Sequence, residues 1–317
     1  MNHRLFVLSF LVAAISTVPV SAKVWGENEA PGDWSFKTDK PVRVIVIGGS
    51  VSEFNQGYSD WIGRTCRNVE VVNVAKARYG SWGIGKRFEA QVLANPNIDL
   101  KDPNRSYWVV LQGGLNNIWE PARVNNDFME LFRLIHSKGM KVVGLSLSPW
   151  GSDKDKRWVG IDAVRNQDRT RQCVDWMLGR LTPGEALGKY AAGKKSWDPA
   201  DLPDVAIDLY DSPLRDVNAR PRPAADIKAR MARDKQLNRE LSALPQQSRD
   251  ARYQKIMKQA VEMPKWFLRP ELQSFDHIHP NREGHRIIVE TACPKLPAEW
   301  GCDCTYIRNA GKKAASR

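Results

Sequence analysis

Apolar and polar positions along this chain alternate between the period of a strand and the period of a helix. Five apolar, β-branched runs predict strands, and amphipathic stretches between them predict helices near 55–66, 82–95, 123–138 and 157–181. Such alternation predicts a three-layer α/β/α sandwich around a mainly parallel five-stranded sheet, a flavodoxin-like architecture. The predicted strands are residues 42–48, 69–75, 106–114, 141–149 and 204–212.

A polar stretch at residues 220–262 interrupts the alternation. Its composition favours helix, and we interpret it as a helical insertion into the domain. It holds eleven Lys or Arg and five Asp or Glu, a net charge of 11 − 5 = +6. One interpretation is a face that binds an anionic envelope polymer, and the other is a solvated surface without a specific partner.

The two ends of the sequence differ in composition from the rest. Residues 1–22 have a basic start, an apolar segment and a small-residue end, which are typical of a signal peptide. We therefore expect an exported, periplasmic or extracellular protein, with one domain over residues 23–305 and a disordered tail over 306–317. No later stretch is apolar for long enough to predict stable insertion in a membrane.

The chain is strongly basic. Its net charge is +12, and removal of residues 1–22 with their single arginine leaves 12 − 1 = +11. An exported protein of this charge is expected to meet anionic polymers, whereas export disfavours nucleic acid as a partner. We expect a monomer.

Five cysteines follow the predicted signal peptide, in a compartment where disulfides persist. Two bridges would leave one cysteine free, and fifteen connectivities are then open. The tail motif CDC resembles half of a metal clamp, but no second pair at zinc-finger spacing accompanies it, so we predict no metal there. The cysteines are Cys66, Cys173, Cys293, Cys302 and Cys304.

The first predicted strand ends at two glycines followed by Ser50, at the sheet edge where α/β proteins bind ligands. A serine hydroxyl becomes a nucleophile when a histidine, oriented by a carboxylate, removes its proton. The stretch SFDHIHPNREGH supplies Asp276 and His279 three residues apart, just before a predicted helix at 281–292. We predict Ser50, Asp276 and His279 as the catalytic residues.

Other histidines in the same stretch leave alternatives open. His277 or His285 is an alternative base, although helical spacing favours packing for His285. The group Asp276, His277 and His279 also offers ligands to a metal, which would define a metal-dependent hydrolase instead.

Acyl transfer further requires hydrogen-bond donors aimed at a developing oxyanion. The third predicted strand is followed by LQGGLNNIW, which places Gly113, Gly114, Asn116 and Asn117 at the functional edge. The second is followed by NVAKARYGSWG, which supplies Gly80. Each stretch alone is ordinary loop sequence, and its position after the appropriate strand makes it a candidate.

Together these motifs resemble the SGNH (GDSL-like) hydrolase family over residues 42–292, apart from the insertion. VIGGS resembles the first block, ARYGSWG the second, GGLNN the third and DHIHP the fourth. The resemblance implies a Ser50 nucleophile, and an oxyanion hole formed by Ser50, Gly80 and Asn116. It also implies hydrolysis of an ester without a cofactor.

Three departures from the family pattern are visible. Gly49 stands where the family usually has aspartate, and Asn117 replaces the aspartate that follows the third-block asparagine. The second block also lies further from Asn73 than the family pattern has it. A protein that keeps the fold and binds envelope polysaccharide without catalysis is therefore an alternative.

Three tryptophans follow predicted strands and suggest the substrate class. Trp82, Trp119 and Trp150 would gather around the mouth of the site, where indole faces suit sugar rings, although tryptophan also packs cores. We predict an exported serine esterase that removes acetyl or another small acyl group from a polysaccharide. The polar insertion disfavours a lipase or lysophospholipase, which remains an alternative within the family.

Overall fold

A computed structural model describes residues 30–315, with side chains as far as Gly311. Its centre is a sheet of five strands in the order β2-β1-β3-β4-β5, with every neighbouring pair parallel. This doubly wound order confirms the predicted α/β/α class. The predicted signal peptide lies outside the described residues. The strands are β1 Val42–Gly48, β2 Val69–Asn73, β3 Ser106–Gln112, β4 Lys141–Leu145 and β5 Val205–Ile207.

Helices cover both faces of the sheet, and the predicted helices between the strands all form. The third of them ends at Ser137, and Gly139 follows with a φ of +72°. The α-helices are α1 Ser50–Glu53, α2 Tyr58–Thr65, α3 Ser81–Phe88, α4 Pro121–Ser137, α5 Ile161–Met177, α6 Pro183–Leu187, α7 Ala224–Met231, α8 Lys235–Ser242, α9 Gln246–Glu262, α10 Arg282–Ala292 and α11 Cys304–Ala315.

Successive residues of the central strands enter different cores. Ile45 and Ile47 pack with residues of α3, α4 and α5 on one face, while Val44 and Val46 pack with residues of α2, α10 and α11 on the other. Side chains that alternate between two buried faces explain the continuous apolar run of β1 from Val44 to Ile47.

The predicted strands are too long at their carboxyl ends. β3 stops at Gln112 and β4 at Leu145, and only residues 205–207 of the predicted fifth strand join the sheet. Beyond β5 the chain bends away, and the Leu209 N–H donates to Ser146 Oγ at 2.9 Å instead of pairing with a strand. The residues that follow the strands are therefore loops at the ligand-binding edge.

The basic insertion is helical, as predicted. Helices α7, α8 and α9 bury one apolar face against the core that contains α5, while their charged residues face outward. Among residues 30–315, no helix is both long and apolar enough to cross a membrane. The buried contacts of the insertion are Ile227, Met231, Leu237, Leu241, Ile256 and Ala260.

Helix α11, Cys304–Ala315, extends into the segment from residue 306 for which the composition predicts a disordered tail. Helix α11 buries Ile307 completely, and the Ile307 carbonyl accepts a 2.9 Å hydrogen bond from Arg286.

Disulfides join Cys66 to Cys302 and Cys293 to Cys304, while Cys173 is a buried free thiol. Both cysteines of CDC are therefore bridged and unavailable to a metal.

A close backbone contact fixes the turn at the end of β1. Gly48 has a φ of +148°, and a Cβ built on it would lie 2.1 Å from the Gln112 carbonyl oxygen. Gly49 has a φ of −92°, and its Cβ would meet only Asn116 Nδ2, at 3.8 Å. The first glycine is required by geometry, whereas the second is not.

We predict that Gly48→Ala lowers the free energy of unfolding by ~3 kcal/mol, because it combines an unfavourable φ with a clash against backbone. The matched control Gly49→Ala is expected to change it by less than ~1 kcal/mol. Chemical denaturation of both variants measures the difference. Equal stability of the two variants would contradict the contact.

Candidate active site

Ser50 begins helix α1 directly after β1, and its Oγ lies 2.6 Å from Nε2 of His279, 229 residues later in the chain. The neighbouring Ser52 is buried and is used in the fold. Its Oγ donates to the Gln112 carbonyl at 3.0 Å and accepts from the Tyr58 hydroxyl at 2.8 Å. Of these two serines, Ser50 is the one within reach of a base.

Asp276 orients His279 from the other side of the ring. One carboxylate oxygen bonds His279 Nδ1, and the other accepts the N–H groups of Ile278 and His279 at 3.0 Å and the Ser274 hydroxyl at 2.9 Å. Burial acts to raise the pKa of Asp276, but these hydrogen bonds outweigh it and lower the pKa to about 2. The ionised carboxylate favours a proton on Nδ1, which leaves Nε2 to accept the Ser50 proton.

The two alternative bases lie elsewhere. His277 Nδ1 bonds Gln273 Oε1 at 2.7 Å. His285 is fully buried, its ring stacks on Phe54, and its Nδ1 accepts the Tyr58 N–H at 3.2 Å. Within residues 30–315 no three metal-ligating side chains cluster, so the alternative metal set is not assembled.

The predicted oxyanion donor Asn116 lies beside the turn that carries Ser50. Asn116 Nδ2 donates to the Tyr79 carbonyl at 2.9 Å, which anchors the amide next to Gly80 and leaves its second N–H available. The same Nδ2 atom lies 3.8 Å from the position that a Cβ of Gly49 would occupy. The Ser50 N–H belongs to the first turn of α1, where helical N–H groups have no intrahelical acceptor. The Asn116 amide therefore lies between the turn that carries Ser50 and the loop that carries Gly80.

The predicted aromatic residues have different environments. Trp119 is 58% exposed on the loop that carries Asn116, and Trp82 is half-buried at the start of α3, with Lys86 Nζ 5.9 Å from its ring centre. The predicted substrate-binding role is wrong for Trp150. Its side chain is 1% exposed and its Nε1 donates to Thr170 Oγ1 at 3.0 Å, so no ring face is available to a ligand.

Sequence reasoning missed one exposed aromatic residue. Phe275 directly precedes Asp276 and is 97% exposed, although its loop is held closed by a 2.9 Å bond from the Ser274 N–H to the His279 carbonyl. A single exposed ring is common on protein surfaces, and the position of Phe275 next to Asp276 makes it a candidate for a ligand contact. The only signal in the sequence was the position of Phe275 inside the SFDHIHP motif.

No protein-family profile and no curated protein matches this chain. Solved structures are similar to it at low identity. A putative lipolytic protein of the G-D-S-L family from Desulfitobacterium hafniense is 15% identical, with a TM-score of 0.45, over 80% of this chain and 99% of its own. A GDSL-like lipase from Bacteroides thetaiotaomicron is 13% identical, with a TM-score of 0.45, over 81% and 89%.

An acetyl xylan esterase is 14% identical, with a TM-score of 0.42, and the alignment covers 80% of this chain and all 100% of that one. Likenesses of this size carry no argument about activity. The residues of this chain alone support the functional proposal.

The buried His285 predicts a pH dependence of stability. Burial, and secondarily the charge of His279, lower its pKa to about 3. Unfolded chains bind a proton at this residue below about pH 6.5, while the folded protein does not. Stability is therefore fully present above pH 6.5 and falls as the pH decreases towards 3.

We predict that His285→Asn, which keeps an acceptor for the Tyr58 N–H but does not titrate, reduces this slope. Between pH 6 and 5 the wild type should lose up to about 1.4 kcal/mol per pH unit more than the variant. Urea unfolding at several pH values measures both slopes. Parallel slopes would show that His285 is charged in the folded protein.

Proposed function

We propose that this protein is a serine ester hydrolase of the SGNH (GDSL-like) type. The observation that carries the proposal is the 2.6 Å contact between Ser50 Oγ and His279 Nε2, with Asp276 on the other ring nitrogen. The Asn116 amide, which lies near the Ser50 turn and bonds the carbonyl of the residue before Gly80, supports the same reaction. This combination of nucleophile, base, orienting carboxylate and oxyanion donors suits acyl transfer.

In the first half of the reaction, His279 Nε2 removes the proton of Ser50 as Oγ attacks the ester carbonyl carbon. The carbonyl electron pair moves to oxygen, where the Ser50 and Gly80 N–H groups and the Asn116 amide stabilise it. Collapse breaks the bond to the alcohol, which takes the proton from His279. An acyl-serine remains.

In the second half, water loses a proton to His279 and attacks the acyl-serine carbonyl. Collapse of this intermediate breaks the bond to Ser50 Oγ, and His279 returns the proton to the serine. The acid leaves and the enzyme is restored. Asp276 stays ionised throughout and stabilises the imidazolium that forms in each half.

We place the substrate outside the cell, as an O-acyl ester of a polysaccharide, with acetyl as the first candidate. The signal-peptide pattern of residues 1–22 and the two disulfides support export. The exposed rings of Trp119 and Phe275 border the loops that carry Asn116 and Asp276, where they would stack on sugar rings.

The insertion favours an anionic polymer over a lipid as the partner surface. Helix α9 exposes Arg252, Lys255 and Lys258, and the apolar residues of α7 to α9 are turned into the core. A lipase is expected to expose an apolar face to its substrate. Charges of this kind attract anionic glycans instead.

We predict that a fluorophosphonate labels the protein at Ser50 and that Ser50→Ala abolishes labelling and the hydrolysis of p-nitrophenyl acetate. His279→Ala should lower kcat by about 10³-fold or more, because the members of a triad act as a unit. His277→Ala is the matched control that retains labelling. Mass spectrometry and steady-state kinetics provide the measurements.

Other outcomes identify the rival functions. A binding module would never be labelled and would hydrolyse no ester. In that case the wild type and Ser50→Ala would bind anionic glycan equally well. Loss of turnover with chelators and no seryl labelling would indicate a metal-dependent hydrolase. A wild-type rate for His279→Ala with an inactive His277→Ala would refute our choice of base.

We predict that Trp119→Ala and Phe275→Ala each lower kcat/KM for O-acetylated oligosaccharides about tenfold relative to that for p-nitrophenyl acetate. The factor corresponds to ~1.4 kcal/mol of lost aromatic contact. Tyr306→Ala, which removes an exposed ring from α11, is the control and should not change this ratio. An equal loss on both substrates would mean that the rings support the loops and do not recognise sugar.

A further inference from the structure

A chain of hydrogen bonds connects three separate elements behind the oxyanion donors. Asn117 Oδ1 accepts the Ser81 N–H at 3.0 Å, and Asn117 Nδ2 donates to Ser81 Oγ at 2.9 Å. The Ser81 hydroxyl donates in turn to Asp127 Oδ2 at 2.6 Å. The loop after β3, the start of α3 and the middle of α4 are thereby joined through one buried hydroxyl.

Two members of this hydrogen-bond network lie next to proposed oxyanion donors in the sequence. The third, Asp127, supports Ser81. Asn117 follows Asn116, and Ser81 follows Gly80. The two loops also touch, since a Cβ on Gly80 would lie 3.0 Å from Asn117 Oδ1. A movement of Asn117 relative to Ser81 would therefore change the distance between Asn116 and Gly80.

We propose that Asn117, Ser81 and Asp127 are positioning residues that set the spacing of the two oxyanion donors, and that the network requires one amide and one carboxylate at positions 117 and 127. This inference rests on the proposed ester hydrolysis. It explains how the chain functions without an aspartate at position 117. The carboxylate of the network comes from α4, and the amide supplies the donor that a carboxylate lacks.

The hydrogen-bonding capacity of the Ser81 hydroxyl explains why one amide is combined with one carboxylate. Ser81 Oγ has one proton, which it donates to Asp127, and so it requires a donor from position 117. An aspartate at 117 would present a second carboxylate to the same oxygen. One of the two acids would have to bind a proton, or the loops would separate.

The surroundings of Asp127 make a second negative charge costly. Its side chain is 11% exposed, and Arg123 Nε lies at the edge of contact, 4.0 Å away. Burial raises the pKa of Asp127, and Glu120 raises it further. The Ser81 hydroxyl, Arg123 and the Trp82 N–H act in the opposite direction without cancelling the increase. A carboxylate at 117 would add to the effect of Glu120.

The test compares the wild type with Asn117→Asp, Asp127→Asn and the double variant. At pH 8, Asn117→Asp should lower kcat for p-nitrophenyl acetate about tenfold or more with little change in KM, because an interaction of the transition state is lost. Asp127→Asn keeps a carbonyl acceptor and should lose less. The double variant, with one amide and one carboxylate again, should recover to within about threefold of the wild type.

The pH dependence separates positioning from simple damage to the fold. The ratio of Asn117→Asp to wild-type kcat should increase as the pH falls from 8 to 6, since protonation of one acid relieves the repulsion. The two acids at positions 117 and 127 should also make the free energy of unfolding of Asn117→Asp fall as the pH rises through the raised pKa of this pair. The double variant should lack both effects. Asn126→Asp, which adds a carboxylate on α4 beside Asp127, is the control and should keep its kcat within about twofold.

Two results would overturn the inference: an Asn117→Asp variant with the kcat of Asn126→Asp, or a double variant no more active than Asn117→Asp. A wild type without turnover would refute the proposed function instead, and the unfolding measurements would still establish whether the network exists. Should Asn117→Asp not fold, Ser81→Ala removes the shared hydroxyl and should lower kcat about tenfold at an unchanged KM.

Discussion

The ends of β1 and β3 approach each other so closely that the whole candidate site depends on this contact. The Gly49 N–H and the Ser52 hydroxyl both donate to the Gln112 carbonyl, at 3.2 Å and 3.0 Å. Gly48 admits no side chain at this point. Because parallel strands end at one edge, the turn that presents Ser50 and the turn that presents Asn116 are formed against each other.

The base reaches this edge from the far end of the sequence, on a loop whose polar groups are bonded within it. Asp276 accepts four hydrogen bonds from its own neighbourhood, and so its orientation does not depend on the serine. Beneath the site, His285 stays neutral and packs as an aromatic ring. Two histidines six residues apart thus differ in chemistry because only one of them is kept from water.

Structural features that follow from a repeating residue pattern were predictable from the sequence, whereas individual tertiary contacts were not. The period of apolar residues predicted the sheet and the helices. The motifs at strand ends selected Ser50, Gly80 and Asn116 as candidates, and the DHIHP motif selected His279. Trp150 was misplaced because an indole after a strand may face either the edge or the core, and composition does not distinguish them. Helix α11 was not predictable from the composition of the tail because its contacts are with distant partners, Cys66 through Cys302 and Arg286 through the Ile307 carbonyl.

The disulfide between Cys66 and Cys302 also bears on the order in which contacts form as the chain folds. It joins residues 236 positions apart, and the pairing of Ser50 with His279 spans a similar length. Contacts of such separation form late, since nearly all of the chain has to be synthesised before both partners exist. A nascent chain therefore carries Ser50 without its candidate base for most of its synthesis, and the two residues can meet only after nearly all of the chain exists.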